Sequence, residues 1–214
     1  MTGLSSSHGV VPARAARATR GALAPLGRGL AAIGITPNAI TALGVLLVLV
    51  GAVLLAQERP LVALAFLVAG SLADTLDGVV ARASGGGTRL GAFLDSTADR
   101  IADAALFAAG AHIGSTHGDA VLFWGALGAL SASFLVSYVR AKAESLGIGA
   151  TVGPAPREAR LVLLLLGIAG WALLGALAAF TTAIVAVAIL ATITLAQRTA
   201  VVARSLAKKT SGET

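Results

Sequence analysis

The sequence predicts an all-α integral membrane protein with six transmembrane helices and an N-terminal interfacial amphipathic helix. Of the 214 residues, 57% are hydrophobic and only 12% are charged, whereas soluble domains carry about 25% charged residues. The mean hydropathy is +0.88. So few charged side chains cannot cover the surface of a soluble globule, and the apolar content excludes a disordered chain.

Six segments are long and apolar enough to cross a bilayer, which takes about 20 residues. They are predicted at 39–56, 61–80, 90–109, 120–139, 161–177 and 181–200. A short uncharged turn is expected at 178–181. We expect three parts: a basic juxtamembrane segment at 1–34, the six-helix domain at 35–203 and a polar tail at 204–214.

The basic residues predict the orientation in the membrane. The formal net charge is +6, and Lys and Arg fall in the N-terminal segment, alternate loops and the C-terminal end, with Arg59 alone on the other side. By the positive-inside rule, both termini lie in the cytoplasm. Residues 11–33 alternate arginines with apolar residues, which favours an interfacial helix over a partly disordered basic tail. No basic, aromatic-rich soluble segment suggests nucleic-acid binding.

Acidic residues are concentrated where the chain is otherwise apolar. Five of the ten acids fall inside or at the ends of the second and third predicted spans: Asp74, Asp77, Asp95, Asp99 and Asp103. Each Asp at the centre of a membrane helix costs about 2.5–3.5 kcal/mol. An arrangement that compensates this charge is therefore expected.

The spacing of the acids predicts a metal site. Asp74 and Asp77 are three residues apart, and Asp95 and Asp99 are four apart, so each pair shares one helix face. If the two helices pack together, four carboxylates converge and need divalent cations between them. The chain has no cysteine, and oxygen ligands suit Mg²⁺, Mn²⁺ or Ca²⁺. Two such ions can clamp a diphosphate.

Each of these residues has a simpler interpretation. An Asp pair at this spacing can cap a helix or form salt bridges, and Asp103 can pair with Arg100 or line the site without binding metal. Gly78 and Gly91 can serve helix packing alone. Arg82 can bind phosphate or simply anchor the helix end. The joint pattern is what favours chemistry.

Read together, Asp74-x-x-Asp77-Gly78-x-x-Ala81-Arg82-x8-Gly91-x3-Asp95-x3-Asp99 resembles the complete signature of the CDP-alcohol phosphotransferase family. The resemblance implies an enzyme that moves a phosphatidyl group from CDP-diacylglycerol to an alcohol and releases CMP. It implies two divalent cations, Mg²⁺ or Mn²⁺. It also implies a homodimer.

The resemblance also assigns roles to individual residues. It implies that Asp74, Asp77, Asp95 and Asp99 bind metal, and that Asp99 is the catalytic base. It implies a CDP-diacylglycerol site that contains, besides Asp77, the residues Thr36, Pro37, Asn38, Thr41, Gly78, Ala81, Arg82 and Gly91. Taken alone, Thr36-Pro37-Asn38 is only a helix-start signal.

Other segments resemble one branch of the family, the actinobacterial phosphatidylinositol phosphate synthases. These are residues 137–145, Gln197-Arg198 and the lead into residues 34–38. The branch implies inositol 1-phosphate as acceptor and a bacterial cell membrane. A phosphorylated acceptor needs cations, and the candidates are Lys142, Arg157, Arg160 and Arg198. The segment around Pro156 and Ala159 departs from the family's paired arginines, which leaves open which of Arg157 and Arg160 binds phosphate.

Three alternatives remain open from the sequence alone. Glycerol 3-phosphate is the second acceptor candidate, since it also offers a phosphate and a primary hydroxyl. Intramembrane acids also occur in cation-coupled transporters, although no broken pair of repeats is visible here. A non-catalytic scaffold would leave the buried acids unexplained.

Overall fold

The structure, a computed structural model, describes Pro25, Gly27 and residues 29–212. Residues 29–212 form helices and connecting loops without a strand. The six long helices of this part are α1 (Pro37–Ala56), α2 (Pro60–Ala83), α3 (Arg89–His117), α4 (Ala120–Ser145), α5 (Arg157–Leu174) and α6 (Leu177–Gly212).

Four of these helices are long and apolar enough to cross a membrane: α1, α2, α4 and α6. Helices α3 and α5 interrupt their apolar sequence with charged residues, at 95–103 in α3 and at 157–160 in α5. The prediction of an all-helical membrane protein is therefore confirmed in its general form.

Helix starts are set by polar caps that the sequence supplies. Thr36, Thr88 and Asp119 each accept a hydrogen bond from the backbone N–H three residues further on, at 3.2, 2.9 and 2.9 Å. Such caps satisfy an amide that the first helical turn leaves unpaired. They fix where α1, α3 and α4 begin, and two of them lie beside the candidate site described below.

The predicted turn at 178–181 is wrong. Helix α5 already ends at Leu174, and Gly175 adopts a left-handed φ of 67° that suits a helix terminus. Helices α2, α3 and α4 run on to residues 83, 117 and 145, beyond the predicted ends of their apolar spans. Helix α6 also continues through 204–212, which the sequence predicted as a polar tail.

The predicted interfacial helix at 11–33 falls mostly outside the described residues. Residues 29–32 are helical and end in a turn at Ile33 and Gly34. Leu30 and Ala31 pack against a small apolar cluster formed by Ile40, Ala73 and other residues. This stretch therefore lies against the start of α1 and the end of α2, which the sequence predicts to face the cytoplasm.

The principal helix contacts form a closed ring in the order α1, α2, α5, α6, α4 and α3. Helices α2 and α3 are not among the principal contacting pairs, because each packs against α1 instead. The sequence argument for a metal site supposes that the two acidic helices pack together. The structure brings their acids together across the interior of the ring, which leaves open space between them.

Glycines allow α1 and α2 to approach closely. A Cβ on Gly44 would lie 3.3 Å from the Gly70 carbonyl oxygen, and one on Gly70 would lie 3.0 Å from the Gly44 carbonyl oxygen. Small residues permit this backbone proximity in membrane helices. Near the opposite helix ends, Leu55, Leu67 and other apolar residues form the main core. This packing gives the acidic end of α2 a fixed support.

Candidate functional site

Three aspartates meet in the interior of the ring. Each of Asp74, Asp95 and Asp99 has a carboxylate oxygen within 4.8 Å of an oxygen of the others, and together they could hold a metal ion. Asp74 comes from α2, whereas Asp95 and Asp99 come from α3. The four-residue spacing of the α3 pair puts both side chains on one helix face.

The fourth predicted ligand, Asp77, lies beside this group and is held by α1. The Thr41 hydroxyl donates a 2.5 Å hydrogen bond to Asp77 Oδ2. Asp77 is 8% exposed, so this donor compensates part of the burial of its charge. The contact positions Asp77 relative to the start of α1.

We call Asp74, Asp95 and Asp99 the acidic group. Two large cavities meet at this group, with Asp74 and Asp95 in the wall of both. The first, which we name the glycine-loop cavity, has a volume of about 690 Å³ and lies among the starts of α1 and α3 and the end of α2. Its lining includes the loop residues Ser84, Gly86, Gly87 and Thr88, together with Asp74, Asp77 and Asp95. Apart from these acids, its lining residues are uncharged.

The second cavity, which we name the arginine cavity, has a volume of about 750 Å³. It reaches from the acids to α4, α5 and α6. Asp74 and Asp95 line both large cavities, whereas Asp99 lines the arginine cavity and Asp77 the glycine-loop cavity. The basic side chains that line the arginine cavity are Arg100, Arg140, Arg157, Arg160 and Arg198.

Arg157 connects the acids to the arginine cavity. Its Nη1 lies 2.6 Å from Asp99 Oδ1 and 3.6 Å from Asp74 Oδ2, and its Nε lies 3.7 Å from Asp103 Oδ1. These contacts are ion pairs. Asp99 Oδ1 and Arg157 Nε are buried, and neither atom has a hydrogen-bond partner with suitable alignment among the described residues. The acidic group is therefore only partly satisfied by protein donors.

Arg160 and Arg198 are held more firmly. Arg160 Nη1 donates to the Ala155 carbonyl oxygen at 3.0 Å, and Arg160 Nη2 lies 3.5 Å from Asp103 Oδ2. Arg198 donates through Nε to the Val152 carbonyl oxygen at 2.9 Å and through Nη1 to that of Val136 at 3.2 Å. Both arginines are buried, so they are fixed cations in the cavity wall.

Comparison with known proteins identifies the family of this chain. The sequence profile described as CDP-alcohol phosphatidyltransferase matches residues 34–195. The chain belongs to this family.

Named relatives and solved structures point in the same direction. The phosphatidylinositol phosphate synthase of Mycobacterium tuberculosis H37Rv is 40% identical over 145 residues, which cover 67% of each chain. The archaetidylinositol phosphate synthase of Pyrococcus horikoshii is 36% identical over 140 residues, or 65% of this chain and 72% of that one. A crystal structure of the M. tuberculosis synthase with CDP-DAG bound aligns with a TM-score of 0.78 at 33% identity. The alignment covers 84% of this chain and 92% of that one. Another crystal structure of that synthase contains manganese and citrate.

For this CDP-alcohol phosphatidyltransferase, the structure brings most of the residues of the predicted lipid-nucleotide site together. The following eight of the nine line the glycine-loop cavity: Thr36, Pro37, Asn38, Thr41, Asp77, Gly78, Ala81 and Gly91. Arg82 is exposed and is not in that lining. A Cβ at Gly78 would lie 3.4 Å from the Arg82 guanidinium, so Arg82 folds back over the end of α2.

The predicted acceptor-phosphate group is only partly brought together. Arg157, Arg160 and Arg198 line the arginine cavity, whereas Lys142 is exposed and absent from its lining. Arg100 and Arg140 line the cavity but received no phosphate role from the sequence. One face of α4 carries Ser137, Arg140 and Glu144, which are three and four residues apart and all line the cavity. Lys142 lies two residues after Arg140 and is on a different face. This shared face is the signal in the sequence that indicates Arg140.

Proposed function

We propose that this enzyme transfers the phosphatidyl group of CDP-diacylglycerol to inositol 1-phosphate, giving phosphatidylinositol phosphate and CMP. The observation that carries the proposal is the acidic wall shared by an uncharged cavity and a cavity rich in arginine. A nucleotide-linked donor in the first and a phosphorylated acceptor in the second would meet at this wall. The family membership and the named relatives support the same reaction.

The donor set suits divalent cations, and we propose two, as Mg²⁺ or Mn²⁺. Asp74, Asp95 and Asp99 offer only oxygen atoms, the ligands that these hard cations prefer. Asp99 Oδ1 is buried, and its contact with Arg157 Nη1 at 2.6 Å is an ion pair without hydrogen-bond alignment, so this oxygen retains capacity to bind a cation. When bound, the cations would neutralise the diphosphate and the developing charge on CMP.

The chain's own residues then have separate tasks. Asp77 and the backbone around Gly78 and Gly91 would hold the nucleotide side, with Thr41 keeping Asp77 in place. Asp99 faces the arginine cavity, so it is positioned to accept the proton of the acceptor hydroxyl as that oxygen attacks phosphorus. The arginine cavity would hold the acceptor's phosphate by charge-assisted hydrogen bonds.

We further propose that all six helices span the membrane, with both termini and the site on the cytoplasmic side. Helix α3 has 29 residues and α5 has 18, or about 43 and 27 Å at 1.5 Å per residue. Both suit a hydrocarbon core of about 30 Å. Charged residues of both helices, Asp95 and Asp99 in α3 and Arg157 and Arg160 in α5, line the arginine cavity, where water and substrate replace lipid. An N-terminal interfacial helix, a polar tail after residue 203, contact with membrane lipids and a homodimer remain parts of this proposal.

The test is CMP release from CDP-diacylglycerol by the purified chain in detergent or vesicles. Inositol 1-phosphate, glycerol 3-phosphate and free inositol are compared as acceptors, each with Mg²⁺, Mn²⁺ or excess chelator. We expect turnover with inositol 1-phosphate and a divalent cation only, and a phosphoinositide product by mass spectrometry. Preference for glycerol 3-phosphate, or equal use of free inositol, would overturn the acceptor. Full turnover in chelator would overturn the metal requirement.

A further inference from the structure

Arg157 differs from the other arginines of the site in how it is held. Its shortest contacts are with two members of the acidic group, Asp99 at 2.6 Å and Asp74 at 3.6 Å. Its Nε lies 3.7 Å from Asp103 Oδ1. Arg160, one turn further along α5, is tied to the Ala155 carbonyl oxygen. Contacts with the carboxylates of Asp74, Asp99 and Asp103 therefore hold the Arg157 guanidinium, without the backbone contact that Arg160 has.

The position of Arg157 in its helix strengthens this reading. It is the first residue of α5, directly after the N-cap Pro156. The helix dipole places partial positive charge at this end, where an arginine is disfavoured. The carboxylates opposite it, together with Glu158 in the same first turn, offset this. The helix dipole therefore does not stabilise the observed position of the Arg157 side chain once another cation neutralises those carboxylates.

The same oxygens cannot serve Arg157 and a metal ion equally. A divalent cation among Asp74, Asp95 and Asp99 would lie within a few ångströms of the guanidinium and repel it. Arg157 also lines the arginine cavity, so a displaced guanidinium needs no large backbone movement to face that cavity. A phosphate there offers it a stronger partner than water.

We propose that Arg157 couples metal binding to acceptor binding. It neutralises the acids until a divalent cation displaces it, and it then contributes its charge to the acceptor's phosphate. The inference rests on the proposed function and adds an order of assembly to it: the arginine cavity reaches its full affinity only after the metal has bound. Because such coupling is reciprocal, the acceptor must also tighten metal binding.

The experiment measures Mn²⁺ affinity by titration calorimetry on the full chain in detergent, with and without saturating inositol 1-phosphate. In the wild type we expect the acceptor to tighten Mn²⁺ binding by about 5- to 150-fold, the usual range of coupling. Arg157→Gln should bind Mn²⁺ at least about tenfold more tightly without acceptor, because no guanidinium competes. The effect of acceptor in this variant should fall below about twofold.

Arg89→Gln is the matched control. Arg89 is also the first residue of a helix in the ring, α3, but it is exposed and lines neither large cavity. It should keep wild-type affinities and wild-type coupling. An unchanged or weaker Mn²⁺ affinity in Arg157→Gln, or full coupling in that variant, would overturn the inference.

Two further measurements keep the inference testable if Arg157→Gln is unstable. In chelator its melting temperature should fall below that of the wild type, and Mn²⁺ should raise it by more than it raises the wild type. In the wild type alone, inositol 1-phosphate must bind more tightly with Mn²⁺ than in chelator, and equal affinity would overturn the coupling. A wild type that turns over both substrates but lacks coupling refutes only this inference, whereas a wild type that binds no divalent cation refutes the proposed function as well.

Discussion

The two large cavities share one acidic wall but are built by different means. The glycine-loop cavity is formed by the joined ends of consecutive helices, and almost all its lining comes from residues 36–41 and 74–95. The arginine cavity draws its lining from five helices, α2 to α6, and from residues as far apart as 74 and 198. The first is thus defined mainly by local sequence, and the second by the packing of α4, α5 and α6 around it.

The difference also appears in the charge of the two walls. Uncharged small residues and backbone leave room for a bulky donor whose diphosphate is neutralised at the acids. Five arginines suit a small acceptor that brings its own phosphate. Substitutions in the shared acidic wall should therefore lower turnover. Substitutions elsewhere in one cavity should change the KM of the one substrate that binds there.

The largest effect is expected for Asp99→Asn. The amide keeps the shape of the side chain but cannot accept the acceptor's proton, so kcat should fall by about a hundred- to ten-thousandfold. Donor binding, measured as CDP-diacylglycerol affinity, should change little because the asparagine oxygen can still ligate a cation and Asp99 does not line the glycine-loop cavity. A wild-type kcat in this variant would contradict the assignment of the base.

A smaller, selective effect is expected for Arg198→Gln. Loss of one charge-assisted contact to phosphate, at about 1.5–3 kcal/mol, should raise the KM for inositol 1-phosphate by roughly ten- to a hundredfold. The KM for CDP-diacylglycerol should stay within about twofold. Because Arg198 also holds two backbone carbonyls, thermal unfolding is measured alongside. Equal shifts for both substrates would argue against an acceptor-phosphate role.

The opposite selectivity is expected for Gly91→Ala. A Cβ there would lie 3.2 Å from Thr88 Oγ1 and 3.4 Å from Asn38 Oδ1, two side chains that line the glycine-loop cavity. Displacing them should raise the KM for CDP-diacylglycerol severalfold and leave that for the acceptor unchanged. Gly128→Ala is the control, since its nearest neighbour would be the Ala188 side chain at 4.0 Å. An acceptor-specific change in Gly91→Ala would contradict the division between the cavities.

The smallest effect is expected for Lys142→Gln. Lys142 is exposed and outside the arginine cavity, so both KM values should remain within about twofold of wild type. Arg140→Gln provides the comparison on the same helix, because Arg140 lines the cavity. A selective rise in acceptor KM for Lys142→Gln, without one for Arg140→Gln, would restore the assignment made from the sequence.

The family resemblance grouped eight residues that line the glycine-loop cavity, and these residues lie close together in the sequence. Their role in binding stays a prediction. The spacing of Asp74, Asp77, Asp95 and Asp99 fixes which helix faces carry the acids, and caps such as Thr88 fix where the helices begin. The arginine cavity was predicted less well because residues two apart on a helix point in different directions. Arg140 and Lys142 differ in this way, and only the packing of α4 decides which of them faces the site.

Helix ends were the weakest prediction for a related reason. Between α5 and α6 the chain stays apolar, so Gly175 is the local sign of the turn, and the predicted span runs past it to residue 177. The closed ring could not be predicted either. Hydropathy places helices in the membrane but does not state which neighbours they choose, and α2 and α3 are separated by a cavity that only tertiary packing creates.

The anchoring of Arg198 has a consequence for how the enzyme is made. Its guanidinium joins Val136 on α4 and Val152 on the α4–α5 loop, although it is itself contributed by the last helix. During synthesis from the N-terminus, the acids and the glycine loop emerge first, whereas the arginine wall is completed only when α6 has been inserted. A ribosome-bound chain that lacks α6 would therefore be expected to capture metal and donor before it can recognise an acceptor.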